Sequence, residues 1–279
     1  MNHSIPYQNF QVSAFTEGSG EPLLFLHGWP TNSKLWESQV EVFKTDYKTI
    51  TLDWLGFGES EKPLEFTYTF TRKKEILDAV LSSLLQKHEK VTLVAHDIGG
   101  PPAILWASEN AERMERLILL NTIIYPFKTK LDALSEVLLH LPVLKDVFVS
   151  PFGLRQVMRT NTKRRGKAID EKMEAILAPY KKAPNGLKRK TLLEPMEEGR
   201  KNEIHILSER FRNLRVKKYL VIAKADPLCY AHIQKLSEEN PDVPAYYLGN
   251  CGHFMPVDQP EGLNEVLIEI LKPKQGEEL

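Results

Sequence analysis

At 279 residues and 42% hydrophobic content, the chain is long enough to bury one substantial core, and length alone permits one or two domains. Its 37 basic and 37 acidic side chains cancel, which excludes the basic footprint of a nucleic-acid-binding surface. Cys229 and Cys251 lack metal-ligand spacing and form no disulfide framework, Met1 to Gln11 holds no signal-like apolar stretch, and no apolar run is long enough to span a bilayer. These features fit a cytoplasmic protein with no nucleic-acid or membrane partner. No cofactor and no metal is implied, and the oligomeric state is left open.

From residue 7 to residue 125, short apolar runs alternate with helical periodicity, the pattern of an α/β sheet. Residues 22–26 read as a strand ending at His27-Gly28-Trp29-Pro30, after which Asn32 or Ser33 caps a helix through Trp36, Val40 and Phe43. Residues 48–53 form the next strand, leading into Gly56-Phe57-Gly58-Glu59-Ser60, and Ile76, Val80 and Leu84 mark a long amphipathic helix. Residues 91–95, rich in β-branched and apolar side chains, read as a buried parallel strand. Pro101 and Pro102, tolerated in a first helical turn, then open a helix carrying Trp106. Residues 116–121 form another strand.

The strand signals then stop. Residues 126–205 offer only helical stretches punctuated by Pro142, Pro151, Gly166 and Pro184-Asn185-Gly186, and carry 17 Lys and Arg against 10 Asp and Glu. This segment reads as a helical lid (cap) inserted into a sheet domain made of residues 1–125 and 206–279. The sheet resumes at residues 218–223 and 245–248, and a helix from Pro260 through Ile270 closes the chain. The fold class expected is α/β, a mostly parallel sheet of about eight strands flanked by helices.

The chemistry centres on Ala95-His96-Asp97-Ile98-Gly99-Gly100, a nucleophile elbow between strand and helix with Asp97 where such turns usually carry serine. Serine at that point attacks acyl carbon. A carboxylate is a poor acyl nucleophile but is suited to displacement at saturated carbon, where it leaves an ordinary ester for water to cut. Asp226, just past one strand, and His253, after the last, follow Asp97 in the order nucleophile, acid, histidine. His253 is then the general base for water, and Asp226 fixes its tautomer. Backbone N–H groups of Trp29 and Ile98 would form the oxyanion hole, each donor contributing roughly 3 kcal/mol to the transition state. His96 reads as a brace beneath the elbow, His27 as a brace of the oxyanion loop, and Trp106 as core.

His27-Gly28-Trp29-Pro30, Asp53 through Ser60, Ala95 through Gly100, Asp226 and His253 together resemble the α/β-hydrolase superfamily, specifically its epoxide hydrolase and haloalkane dehalogenase branch. The resemblance covers the whole chain outside the lid and implies an α/β-hydrolase fold, hydrolysis through an aspartyl ester and an Asp-His-Asp triad. It also frames the choice of leaving group. Epoxide hydrolases use paired lid tyrosines to protonate the departing alkoxide, whereas dehalogenases hold halide with N–H donors, commonly a Trp after the nucleophile. Ile98 stands at that position and counts against halide. Tyr180 is the lid tyrosine, Tyr125 the best second candidate and Tyr230 a third, while the run from Gly186 to Glu194 lacks the expected phenol. The indole N–H of Trp29 is a further possible donor. The reading is therefore epoxide ahead of halide, with a non-catalytic binding protein that retains the pocket as the alternative class.

Overall fold

A computed structural model describes residues 1–126, 142–181, 183–184, 187–194 and 203–272. Eight strands form one sheet: β1 (Asn2–Tyr7), β2 (Phe10–Glu17), β3 (Glu21–Leu26), β4 (Tyr47–Leu52), β5 (Val91–Asp97), β6 (Met114–Thr122), β7 (Lys217–Ala223) and β8 (Ala245–Leu248). Their spatial order is β1-β2-β4-β3-β5-β6-β7-β8. The β1–β2 and β2–β4 pairs are antiparallel and the other five pairs are parallel. The expectation of a mostly parallel sheet of about eight strands therefore holds. The hairpin of β1 and β2 was not anticipated, because both strands lie at the sheet margin and bury only alternate residues.

The strand order reverses between β3 and β5. The chain leaves β3 for β4 on one side and returns to β5 on the other, so the carboxyl ends of β3 and β5 border the crevice where sheets of this kind place their sites. Strand β5 is buried at all seven positions, as a central parallel strand covered on both faces must be.

Helices α1 (Glu37–Phe43), α2 (Phe70–Leu84) and α3 (Gly100–Glu109) belong to the first half of the sheet. Asn32 accepts from the Lys34 N–H to cap a short 3-10 turn before α1, and Thr69 caps α2 through the Arg72 N–H. Phe70, Ile76, Leu77, Val80 and Leu81 form the buried stripe of α2, and Lys73 falls in the same stripe. Between β6 and β7 every regular element among the described residues is helical: α4 (Pro142–Phe148), α5 (Pro151–Thr160), α6 (Lys167–Leu177), α7 (187–194) and α8 (Leu207–Asn213), with short 3-10 turns. Many of the segment's basic side chains are paired, Arg155 with Glu174 at 2.9 Å and Lys181 with the same carboxylate at 2.7 Å. Helices α9 (Tyr230–Glu239), α10 (Met255–Asp258) and α11 (Pro260–Leu271) complete the molecule. Among the described residues no helix is long and apolar enough to cross a membrane.

Candidate active site

Asp97 ends β5 with φ +52°, a left-handed conformation that a β-carbon makes costly and that fits the strained turn of an elbow. The turn fits only because its neighbours are small. A β-carbon on Gly28 would lie 2.4 Å from Asp97 Cβ and 2.6 Å from its Oδ2, and one on Gly100 would lie 1.9 Å from Thr122 Oγ1. Thr122 in turn donates to the Asp97 carbonyl at 2.5 Å and ties the elbow to β6.

The carboxylate faces two sets of groups. Its Oδ2 accepts from the Trp29 N–H at 2.6 Å, and the Ile98 N–H also bonds the carboxylate. Its Oδ1 lies 3.7 Å from Cys229 Sγ, whose thiol points at it. Burial raises the Asp97 pKa, outweighing the His253 charge and the two backbone donors that favour the ionised form.

His253 follows β8 and lies near Asp97; one ligand atom each of Asp97, Cys229 and His253 fit within 4.8 Å of one another. Its Nδ1–H donates to Asp226 Oδ2 at 2.9 Å, which leaves Nε2 to face the site. Burial alone would push Asp226 up, but the His253 charge and bonds from His253, Asn121 and the Leu228 N–H hold it at about 2. For the imidazole, burial favours the neutral ring, yet the Asp226 charge and hydrogen bond, helped by Asp97, raise its pKa. The backbone of this loop is also fastened. His253 N–H donates to the Asn161 carbonyl at 2.8 Å, and Asp258 accepts from the N–H groups of Gly252, Lys163 and Arg164 at 2.6, 2.8 and 2.6 Å. Asn32 Nδ2 donates to the Ile176 carbonyl at 2.7 Å, so the inserted segment is tied to both the oxyanion loop and the histidine loop.

The bracing histidines lie where their neighbours in sequence suggested. His27 Nδ1–H donates to the Gly28 carbonyl at 2.9 Å while Nε2 accepts from Trp54 N–H at 3.2 Å; burial, then Lys73, lowers its pKa to about 3. His96 Nε2–H donates to the His253 carbonyl at 2.9 Å, and burial with the His253 charge lowers it to about 3 as well. Both rings stay neutral and structural. Trp106 is fully buried and donates to Asp78 at 3.0 Å. Asp53 fastens its loop, accepting from the Ser33 and Glu59 N–H groups at 2.7 Å each.

The donor candidates are dispersed. Tyr125 donates to Glu239 at 2.7 Å and stacks on His232, which commits its hydroxyl to α9. Tyr180 is fully buried with an unpartnered hydroxyl; burial, then the charges of Asp53 and Tyr68, push its pKa far up. Tyr230 is half-buried at the start of α9. Trp29 stands against Asp97, stacks on Phe148 with ring centroids 5.7 Å apart, and keeps its indole N–H buried and unpartnered.

Three residues went unread in the sequence. Asn121, next to the end of β6, clamps Asp226: Nδ2 donates to Asp226 Oδ2 at 2.7 Å and to the Ala223 carbonyl at 3.0 Å, while Oδ1 accepts from Ala223 N–H at 3.0 Å. Cys229 lies against Asp97. Lys73 is buried with no hydrogen bond, its ammonium 5.1 Å from the Phe57 ring and 5.8 Å from the Trp54 ring; burial depresses it to about 7 against the opposing pull of Asp97. A cation breaking the apolar stripe at the i−3 position from Ile76 is the signal that marked it.

An eight-stranded, mostly parallel sheet with an elbow at the end of β5 defines an α/β-hydrolase, and a sequence profile described as the alpha/beta hydrolase fold matches residues 21–163. The chain belongs to that family and is an α/β-fold hydrolase. Its relatives place it in the branch that holds haloalkane dehalogenases and epoxide hydrolases. It is 27% identical over 91% of its length to a cis-3-alkyl-4-alkyloxetan-2-one decarboxylase of Shewanella oneidensis, covering 82% of that protein. It is 26% identical over 91% of its length to haloalkane dehalogenase 2 of Mycobacterium bovis, covering 88% of it. It is 32% identical over 44% of its length to a soluble epoxide hydrolase of Corynebacterium sp., covering 42% of it.

Proposed function

We propose that the chain hydrolyses an alkylating small molecule in two displacements, through a covalent ester on Asp97. The observation that carries this reading is the division of labour on that carboxylate. Oδ2 accepts the Trp29 N–H, whereas Oδ1 faces the Cys229 thiol and is the oxygen that attacks saturated carbon. The resulting ester keeps its carbonyl oxygen in the hole formed by Trp29 and Ile98, aligned for attack by water. His253 Nε2 takes the proton of that water, and Asp226 stabilises the imidazolium. Esterification removes the negative charge of Asp97, one of the charges that raise the His253 pKa, and so favours the neutral ring in the step that needs a base.

The donor geometry supports a second reading of the leaving group, which reverses the order expected from sequence. Among the candidates Trp29 is the one whose residue touches Asp97, through its backbone N–H at 2.6 Å, and its buried indole N–H has no partner, so the donor it offers is an N–H rather than an acid. That suits a weakly basic leaving group, halide or the ring carboxylate of a strained lactone such as an oxetan-2-one, ahead of an epoxide alkoxide. Residues 126–205 act in this reading as a lid, tied over the site through Asn161, Asp258 and Asn32.

Oxygen tracing tests the two-step course. In a single turnover with enzyme in excess in ¹⁸O water, the alcohol product should carry unlabelled oxygen from Asp97, and the label should appear in the peptide holding Asp97. Label in the first-turnover product instead would mean that water attacks the substrate directly.

A further inference from the structure

We propose that Asp97, Cys229 and His253 form a binding site for a thiophilic divalent cation of the zinc class, and that occupancy switches the enzyme off. The three come from the end of β5, the loop before α9 and the loop after β8, so no local spacing in the sequence reveals them. All are buried, and a carboxylate oxygen, a thiol sulfur and a ring nitrogen lie within 4.8 Å of one another. Zinc takes this donor set, with bonds of about 2.3 Å to sulfur and about 2.0–2.2 Å to nitrogen or oxygen, which puts tetrahedral ligands roughly 3.5 Å apart. The Asp97 Oδ1–Cys229 Sγ edge is already 3.7 Å, and with all three atoms within 4.8 Å the remaining edges need to close by up to about 1.3 Å.

The histidine is prepared for this role. Its Nδ1–H is held by Asp226, which leaves the Nε2 lone pair free for a cation, the carboxylate–histidine–metal arrangement that fixes tautomer and ring orientation. Binding breaks the S–H bond and forms a sulfur–metal bond; the proton passes to buffer and no oxidation state changes. The cation then occupies the attacking oxygen and the lone pair of the base together. Binding itself does not depend on the aspartyl-ester reading; the inhibition does.

The test uses the full chain, stripped of metal by chelator and titrated with zinc chloride by calorimetry in buffers of different ionisation enthalpy, then with cobalt(II) followed by absorption. One zinc equivalent should bind with proton release, and cobalt should show a thiolate charge-transfer band. Cys229→Ser should abolish the band and weaken zinc binding by roughly 10- to 100-fold or more, because even the outer partners of a metal-bound histidine are worth that much. Cys251→Ser, whose parent thiol is turned to the Gly252 carbonyl, should retain both. Equal zinc affinity in wild type and Cys229→Ser, or cobalt binding without a thiolate band, would overturn the proposal. A metal site that behaves as described in an enzyme that forms no ester on Asp97 would leave this site standing and remove the covalent mechanism.

Discussion

Replacing Lys73 by Met should make the protein more stable, and the gain should depend on pH. The ammonium is buried and unpartnered, and its pKa falls from 10.5 to about 7 on folding. The folded state therefore binds fewer protons than the unfolded chain between about pH 7 and pH 10.5, and stability rises with pH across that window. At 1.36 kcal/mol per pKa unit the cost is about 4 kcal/mol at pH 7, where the folded group is half protonated, and about 1 kcal/mol at about pH 9.5. Contact with the Phe57 and Trp54 rings recovers about 1 kcal/mol for the cation. Methionine keeps the apolar stem and loses the charge, so Lys73→Met should gain about 3 kcal/mol at pH 7 and about 1 kcal/mol or less at about pH 9.5. Urea unfolding of both proteins at both pH values measures this directly. A variant less stable than wild type by the same amount at both pH values would refute the reasoning, because it would mean the ammonium is compensated.

Gly28→Ala drives a β-carbon into Asp97, so kcat should fall by roughly 10²-fold, as expected for a displaced nucleophile, in steady-state kinetics. Asn121→Ala should cost about 1–3 kcal/mol by removing the partner of the buried Ala223 N–H, and should raise the Asp226 pKa from about 2; chemical unfolding and carboxyl NMR titration report the two effects. As pH falls through the raised pKa of His253, the base for the second step is lost, so covalent ester once formed should clear more slowly, read by acid quench and mass spectrometry. Across a size-matched panel, haloalkane and β-lactone should react faster than epoxide, and Trp29→Phe should slow the haloalkane by roughly 10-fold or more. Diol formation outpacing halide release would restore the epoxide reading.

The legible part of this molecule was the part written in local chemistry. Buried parallel strands such as β5 are continuous apolar runs, and the elbow is a strand, a small-residue turn and a helix in fixed order, so fold and Asp97 could be read together. Asp226 and His253 were proposed from chain order and strand ends, and the structure brings their side chains within 2.9 Å of each other. The β1–β2 hairpin was hidden by its half-exposed alternation, with Ile5, Tyr7, Val12 and Ala14 buried between polar residues. Cys229 and Asn121 gave no signal, because each acts on a residue more than 100 positions away. Sequence could not choose among the donor candidates for the same reason: whether a tyrosine faces Asp97 is decided by packing, and Tyr125, for one, bonds Glu239 on α9.

The central claim is that Asp97 forms an ester that only His253 can clear. Intact-protein mass spectrometry of His253→Gln, mixed with a reactive haloalkane or β-lactone, tests it most directly, with Asp97→Ala as the control. The account predicts one stable adduct per chain, mapped by digestion to the peptide holding Asp97, and none on Asp97→Ala. An adduct on another residue, or turnover by Asp97→Ala, would contradict it.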